Sequence, residues 1–278
     1  MTPHKTVLVP LDGSVRATAA IPVARGFAEL LRATIVILHV SDDALEPAAL
    51  IERMKLSSQE VQGLVVEQRT GAAAAAITRE ASERQAAMIV MCPRVRTDLP
   101  TRALGTVAAA VLRTAPCPVV LVPSGRGRKH WGLHRLLVPH DGTPTSAATM
   151  GPATDFASMA AAELVVLHVA TPGAERAAEP GTLLSPRYVD QPQHEWRTWA
   201  QEFVDRLRAL GGARDGVKVD LMVAQGDAGS AIVNFARQSD LIVLGWRGVL
   251  EPDRARTLRR VIRDTTSPVI VFRLDQER

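Results

Sequence analysis

Val9-Pro10-Leu11-Asp12-Gly13-Ser14 near the start of the chain is echoed by Val138-Pro139-His140-Asp141-Gly142-Thr143. Ile37-Leu38-His39-Val40 is echoed in turn by Val166-Leu167-His168-Val169. Both echoes stand 129 positions apart, from residue 12 to 141 and from 39 to 168. Two separate echoes at one spacing mark a tandem duplication. Each half is therefore read against the other.

Working outward from these stretches, short apolar runs alternate with longer amphipathic ones. Strands are expected at 6–10, 34–40, 64–69, 87–92 and 118–122, and helical spacing at 14–32, 44–60, 72–84 and 105–114. The second half repeats the order, with strands at 135–139, 163–169, 218–223, 241–244 and 269–273. Its helices fall at 145–161, 194–210, 229–238 and 255–265. Strands that are apolar along their whole length suit a parallel sheet covered on both faces. The alternation implies right-handed crossovers and two doubly wound, five-stranded parallel-sheet α/β domains in tandem, Rossmann-like in type. Pro22 and Pro152 sit inside helical patterns, so each helix is either kinked or starts later than its pattern.

Residues 1–124 form the first expected domain, 125–133 a glycine-rich, charged linker, and 134–278 the second domain. Residues 171–193 have no counterpart of that length in the first half. Trp196 and Trp199 fall at core spacing on the long helix that follows.

A chain of 278 residues accommodates two domains with their own cores. Its 46% hydrophobic and 22% charged content is that of an ordinary globular protein. No apolar run is long enough to span a bilayer. The first residues lead straight into a strand, without the apolar segment of a signal peptide, so a cytoplasmic location and no membrane partner are expected. Cys92 and Cys117 alone make neither a disulfide framework nor a metal cluster. The net charge is +4, but the basic residues are scattered, which argues against nucleic acid as a partner. His130, His134 and His140 lie close in sequence, yet a metal would require them to converge with a further ligand.

In a doubly wound sheet, ligands sit beyond the carboxyl ends of the strands, where the strand order reverses. That places Asp12, Asp141, Val40, Val169 and the loops after each fourth strand around one crevice per half. At this point the chain resembles the universal stress protein family in its tandem two-domain form. The resemblance runs over nearly the whole chain. It rests on the two aspartate stretches, His39-Val40, Gly71, Gly105-Thr106 and Ala115-Pro116-Cys117-Pro118 with the apolar run after it. In the second half it adds Gly226-Asp227, Gly245-Trp246-Arg247-Gly248 and Thr266-Ser267-Pro268-Val269.

Members of that family that bind ATP carry a loop of the form Gly-x2-Gly-x9-Gly-(Ser/Thr). The resemblance implies that the aspartate and the end of the second strand hold adenosine, and that the loop holds phosphates. The first half keeps Gly105-Thr106, but Cys92 and Val95 stand where the first two glycines belong. The second half keeps Gly245 and Gly248, but its last pair is Ala255-Arg256 and its loop is three residues short. A β-branched valine resists the backbone shapes that glycine allows beside a phosphate. Arg256 lacks the hydroxyl, although an arginine can still grip phosphate by charge.

Each residue also has a plainer role. Asp12 and Asp141 suit turns and helix caps, Gly245 and Gly248 suit a tight turn, and Gly105 suits a helix start. There is no Walker-type phosphate loop, nucleophile elbow or His-Glu-x-x-His. The expected function is therefore a non-enzymatic stress-response protein with two incomplete ATP loops, acting through a protein partner. The alternative is a switch that binds ATP or AMP in at least one domain. The resemblance also implies an intrachain pseudo-dimer joined through strands 118–122 and 269–272, and leaves a homodimer open.

Overall fold

The computed structural model describes residues 5–94, 104–124, 130–170, 193–214, 216–246 and 252–274. It divides into two compact units, one of residues 1–132 with 262–273 and one of residues 133–261 with 274–278.

In the first unit β1 (Thr6–Pro10) leads through a turn of 3-10 helix (Ala17–Ala19) into α1 (Ala20–Leu31). Then follow β2 (Thr34–Val40), α2 (Pro47–Arg53), α3 (Ser58–Val61), β3 (Val65–Arg69) and α4 (Ala73–Glu83). β4 (Met88–Met91), α5 (Thr106–Thr114) and β5 (Val119–Leu121) complete it. All neighbouring pairs in the order β3-β2-β1-β4-β5 are parallel. The order reverses at β1, so the crevice opens beyond the carboxyl ends of β1 and β4.

The second unit runs β6 (Arg135–His140), α6 (Pro144–Ala147), α7 (Met150–Ala160), β7 (Glu163–Ala170) and α8 (Gln193–Gly211). It continues with β8 (Val219–Gln225), α9 (Ala228–Ala236), β9 (Leu241–Trp246) and α10 (Pro252–Asp264). Its parallel sheet has the order β8-β7-β6-β9, the same arrangement about β6. The last strand, β10 (Val269–Arg273), pairs antiparallel with β5, with Ile270 opposite Val120, and is counted with the first unit.

The strands form because their apolar residues are covered on both faces. Val7, Leu8 and Val9 of β1 and Leu136, Leu137 and Val138 of β6 are all fully or nearly fully buried. β3 and β8, at the outer ends of their sheets, are only half-covered and carry Glu67 and Arg69, or Asp220. Charged side chains on an edge strand discourage pairing with another chain.

Three local outcomes differ from the sequence pattern. The helices begin late. α1 starts at Ala20 and α7 at Met150, which puts Pro22 and Pro152 in the first turn, where a missing N–H costs no helix bond. The stretch 44–60 breaks into α2 and α3. Lys55 turns left-handed with φ of 57°, and Ser57 with Glu60 starts a new helix by a capping box. β9 is two residues longer than its pattern and takes in Gly245 and Trp246.

The second unit also has a close backbone contact. Gly211, at the end of α8, lies against the Ala147 carbonyl and the Met150 side chain, and Gly151 faces the Gly211 carbonyl at 2.8 Å from where a Cβ would stand. In the first unit Gly26 of α1 gives the Trp131 ring its seat, and Phe27 stacks on that ring at 4.8 Å.

Candidate functional site

The parallel register sets the floor of each crevice. Pro10 pairs with Leu38, so Asp12 and Val40 follow at the same end of β1 and β2. His140 pairs with His168, so Asp141 and Val169 follow at the end of β6 and β7. Behind each aspartate is a left-handed glycine, Gly13 with φ of 78° and Gly142 with φ of 84°. At Gly13 a Cβ would stand 2.9 Å from the Arg53 carbonyl, so neither the φ nor the space admits another residue. A histidine supports each turn from the second strand. Nδ1–H of His39 donates to the Leu11 carbonyl at 2.8 Å, and that of His168 to the His140 carbonyl at 3.1 Å.

Around Asp12 the companions are cationic. Oδ1 accepts from the Ser14 N–H at 3.0 Å and from its hydroxyl, while Oδ2 pairs with Arg16 and with Arg94, each at 3.1 Å. Burial alone would raise this carboxyl. The hydrogen bonds from Ser14 and Arg94 and the charge of Arg16 outweigh that and hold it below its ordinary value.

Arg94 also reaches the other predicted group. A Cβ on Gly105 would lie 3.1 Å from the Arg94 carbonyl. Gly105 is thus the N-cap of α5 and the seat of the Arg94 backbone. Thr106, the first residue of α5, is exposed. Of the first-half groups, Asp12 and Gly105 are therefore linked through Arg94, which sequence reasoning overlooked. Its only signal there was a position just past the fourth strand.

Around Asp141 the donors are hydroxyls and a backbone amide. Oδ1 accepts from the Thr143 N–H at 3.1 Å, the Thr143 hydroxyl at 2.6 Å and the Ser146 hydroxyl at 2.7 Å. Burial opposes these bonds, yet they keep Asp141 below its ordinary value. His140 occupies the place of Leu11. Its ring is 3% exposed, and its Nδ1 accepts the Gly142 N–H at 2.8 Å. Burial, reinforced by the neighbouring His168, pushes it down to about 4 although Asp141 pulls the other way. Burial lowers His168 as well. Both rings face Phe203 of α8, at 6.0 and 5.0 Å between centroids.

This geometry bears on chemistry. Ser146, His140 and Asp141 have the composition of a hydrolytic triad. The Ser146 oxygen, however, is nearly equidistant from the two His140 nitrogens, at 3.3 and 3.2 Å, and donates to Asp141. With the Nδ1 lone pair taken by Gly142, the neutral ring carries its proton on Nε2 and has no base to offer Ser146. Burial pushes both thiols, Cys92 and Cys117, up to about 11, away from the thiolate form. His134 faces Asp240 at 3.6 Å while His140 faces Gly142, so the neighbouring histidines do not converge. Among the described residues no three His, Cys, Asp or Glu side chains are grouped to hold a metal. No helix among them is long and apolar enough to cross a membrane.

Gly245 does not open a loop. It lies within β9, and a Cβ there would stand 2.6 Å from the Leu274 side chain and 2.9 Å from that of Thr149. Asp227 caps α9 through the Ser230 N–H at 2.8 Å and pairs with Arg260 at 2.9 Å. Arg256 and Arg259 are exposed on α10. Gly248, Arg247, Val95, residues 125–129 and most of 171–193 lie outside the described residues, as do the side chains of Arg254, Ala255, Trp196 and Trp199.

A repeated α/β unit with an aspartate turn at the end of its first strand and a reversal of strand order beside it defines a tandem Rossmann-like protein. The chain belongs to the universal stress protein family, whose sequence model matches residues 46–123 and 132–273. A universal stress protein of Mycolicibacterium smegmatis is 25% identical over 297 residues, covering 96% of each chain. One of Mycobacterium bovis is 29% identical over 201 residues, which is 70% of this chain and 61% of that relative. This chain thus spans about three fifths of the Mycobacterium bovis protein. The crystal structure of a universal stress protein from Archaeoglobus fulgidus superposes with a TM-score of 0.65 at 18% identity, over 97% of this chain and 96% of that one, a likeness of fold.

Proposed function

We propose that this protein is a non-catalytic, cytoplasmic stress-response protein that works by contact with a protein partner rather than by turning over nucleotide. In this reading residues 1–124 and 134–278 are its two functional domains, and each retains the adenosine side of a crevice without the phosphate side. The observation that carries it is Arg94 seated on Asp12. A nucleoside hydroxyl reaching that carboxylate has to displace two arginines, and Cys92 and Val95 offer no glycine backbone to the phosphates. In the second unit Thr149 and Leu274 fill the space around Gly245.

The second reading is a switch that binds ATP or AMP. The paired turns favour it, because Asp12, Val40, Asp141 and Val169 share one register and one glycine geometry in both units. Gly105, Thr106, Gly245 and Gly248 would then border the phosphates.

Mass spectrometry of small molecules released from the heat-denatured protein, followed by calorimetric titration with ATP and AMP, separates the two. The first reading expects an empty protein and no heat of binding. A stoichiometric adenine nucleotide overturns it and establishes the switch.

A further inference from the structure

His140 stands where the first unit has Leu11, and its ring is spent on the backbone of its own turn. Nδ1 accepts the Gly142 N–H at 2.8 Å, and an imidazole nitrogen accepts only while it carries no proton. The carbonyl of the same residue takes the His168 Nδ1–H at 3.1 Å. Both rings are 3% exposed and lean on Phe203, itself 2% exposed. There is no room for an imidazolium to turn toward water while the packing holds.

Among the described residues, four groups face His140. Asp141, on its own turn, favours a proton there, and His168, from β7, opposes one. Ser146 of α6 and Phe203 of α8 are uncharged. Asp141 is held ionised by Thr143 and Ser146, so it remains a ready partner for a charged ring.

We propose that His140 makes the Asp141-Gly142-Thr143 turn a proton-operated latch. A proton from solvent taken at Nδ1 ends the acceptance of the Gly142 N–H, opens the turn in the second unit and leaves the Leu11-Asp12-Gly13-Ser14 turn of the first unit shut. Burial makes the ring resist that proton, so the latch opens only under acid well below neutrality. On opening, the Gly142 N–H passes to water and the imidazolium swings toward Asp141. The Asp141 carboxylate, which the crevice presents to any ligand or partner, changes its orientation.

The experiment is amide exchange by NMR on the full chain between pH 7 and pH 4, corrected for the intrinsic pH dependence of exchange, with ¹³C-histidine shifts followed in parallel. Exchange at Gly142 is expected to accelerate by about tenfold or more as His140 titrates, while Gly13 stays flat. In His140→Asn, whose amide oxygen accepts the same N–H and does not titrate, Gly142 is expected to stay flat too. Should that variant fail to fold, His140→Leu restores the residue of the first unit and is expected to show no acid step. Gly142 protection unchanged down to pH 4 would overturn the latch, as would an acid step that persists in the variants. Loss of protection along all of β7 together with Gly142 would also overturn it, since the whole unit would then be opening.

Discussion

In the first unit Leu11 precedes the aspartate turn and Arg16 and Arg94 close on Asp12, whereas in the second His140 takes the leucine's place and hydroxyls hold Asp141. The backbones are alike, with a left-handed glycine in each. Duplication has kept the scaffold while the side chains around it changed from a charged clamp to a hydrogen-bonded cluster resting on a buried histidine. The two kinds of contact answer to different conditions. An exposed ion pair weakens with salt and contributes little. A buried imidazole answers to pH. One chain therefore carries two versions of one crevice with separate sensitivities.

The strongest way to separate the units is at Gly211. A methyl group there meets the Ala147 carbonyl and the Met150 side chain. Gly211→Ala is expected to destabilise the second unit by about 3 kcal/mol through overpacking. Urea denaturation read by amide signals from each unit should show a lower midpoint for β6 and β7 and none for β1 and β2. Equal loss in both would mean that they unfold together.

Next in size is His140→Leu, because its effect changes sign with pH. The ordinary histidine value of 6.5 falls to about 4 in the folded chain. Between those values the unfolded chain takes up a proton that the folded chain refuses. Stability is therefore complete above pH 6.5 and is lost as the pH falls towards 4. The lowered His168 acts in the same direction. The parent should lose about 2 kcal/mol between pH 7.5 and pH 5, which leaves the leucine variant more stable than the parent by about 1 kcal/mol at pH 5. At pH 7.5 it should be less stable by about 1 kcal/mol, because the Gly142 N–H loses its acceptor. Parallel urea curves at the two pH values, without a crossing, would refute the assignment.

A matched pair tests the likeness rather than the difference. α1 and α7 end on Arg32 and Ala161, both left-handed, with φ of 53° and 50°. Arg32→Gly and Ala161→Gly should each stabilise their unit by roughly 0.5–1 kcal/mol. Thermal melts that gain by one and lose by the other would show that the caps are not equivalent.

The smallest effect is expected at the clamp. Arg94 is 67% exposed, so Arg94→Ala should cost less than about 1 kcal/mol, and the loss should vanish in high salt. Its greater use is in binding. If the clamp guards Asp12, the variant should show more heat with adenosine in calorimetry than the parent does.

Much of the fold was legible in the residues. The repeated aspartate stretches and the continuous apolar strands are local features, and β1, β2 and β10 fall where the pattern puts them. The late starts of α1 and α7 were visible only as a choice, because Pro22 and Pro152 fit either a kink or a first turn. The site was less legible. Asp12 and Asp141 stood out by repetition, and Gly245 looked like a loop glycine because its spacing to Gly248 matched a phosphate loop. Its strand setting depends on Thr149 and Leu274, neither of them near it in sequence.

The sequence by itself determined the duplication, the parallel α/β class and the two aspartate turns at the ends of the first strands. These follow from periodicity and residue type, which act over a few positions. Tertiary structure alone decided that Arg94 closes on Asp12, that Gly211 and Gly151 bring helices into backbone contact, that β10 runs antiparallel to β5, and that His140 accepts from Gly142 under Phe203. The physical reason is that a crossover fold brings together residues far apart in sequence. Whether a charge is clamped, or an imidazole refuses a proton, is then set by neighbours that packing supplies.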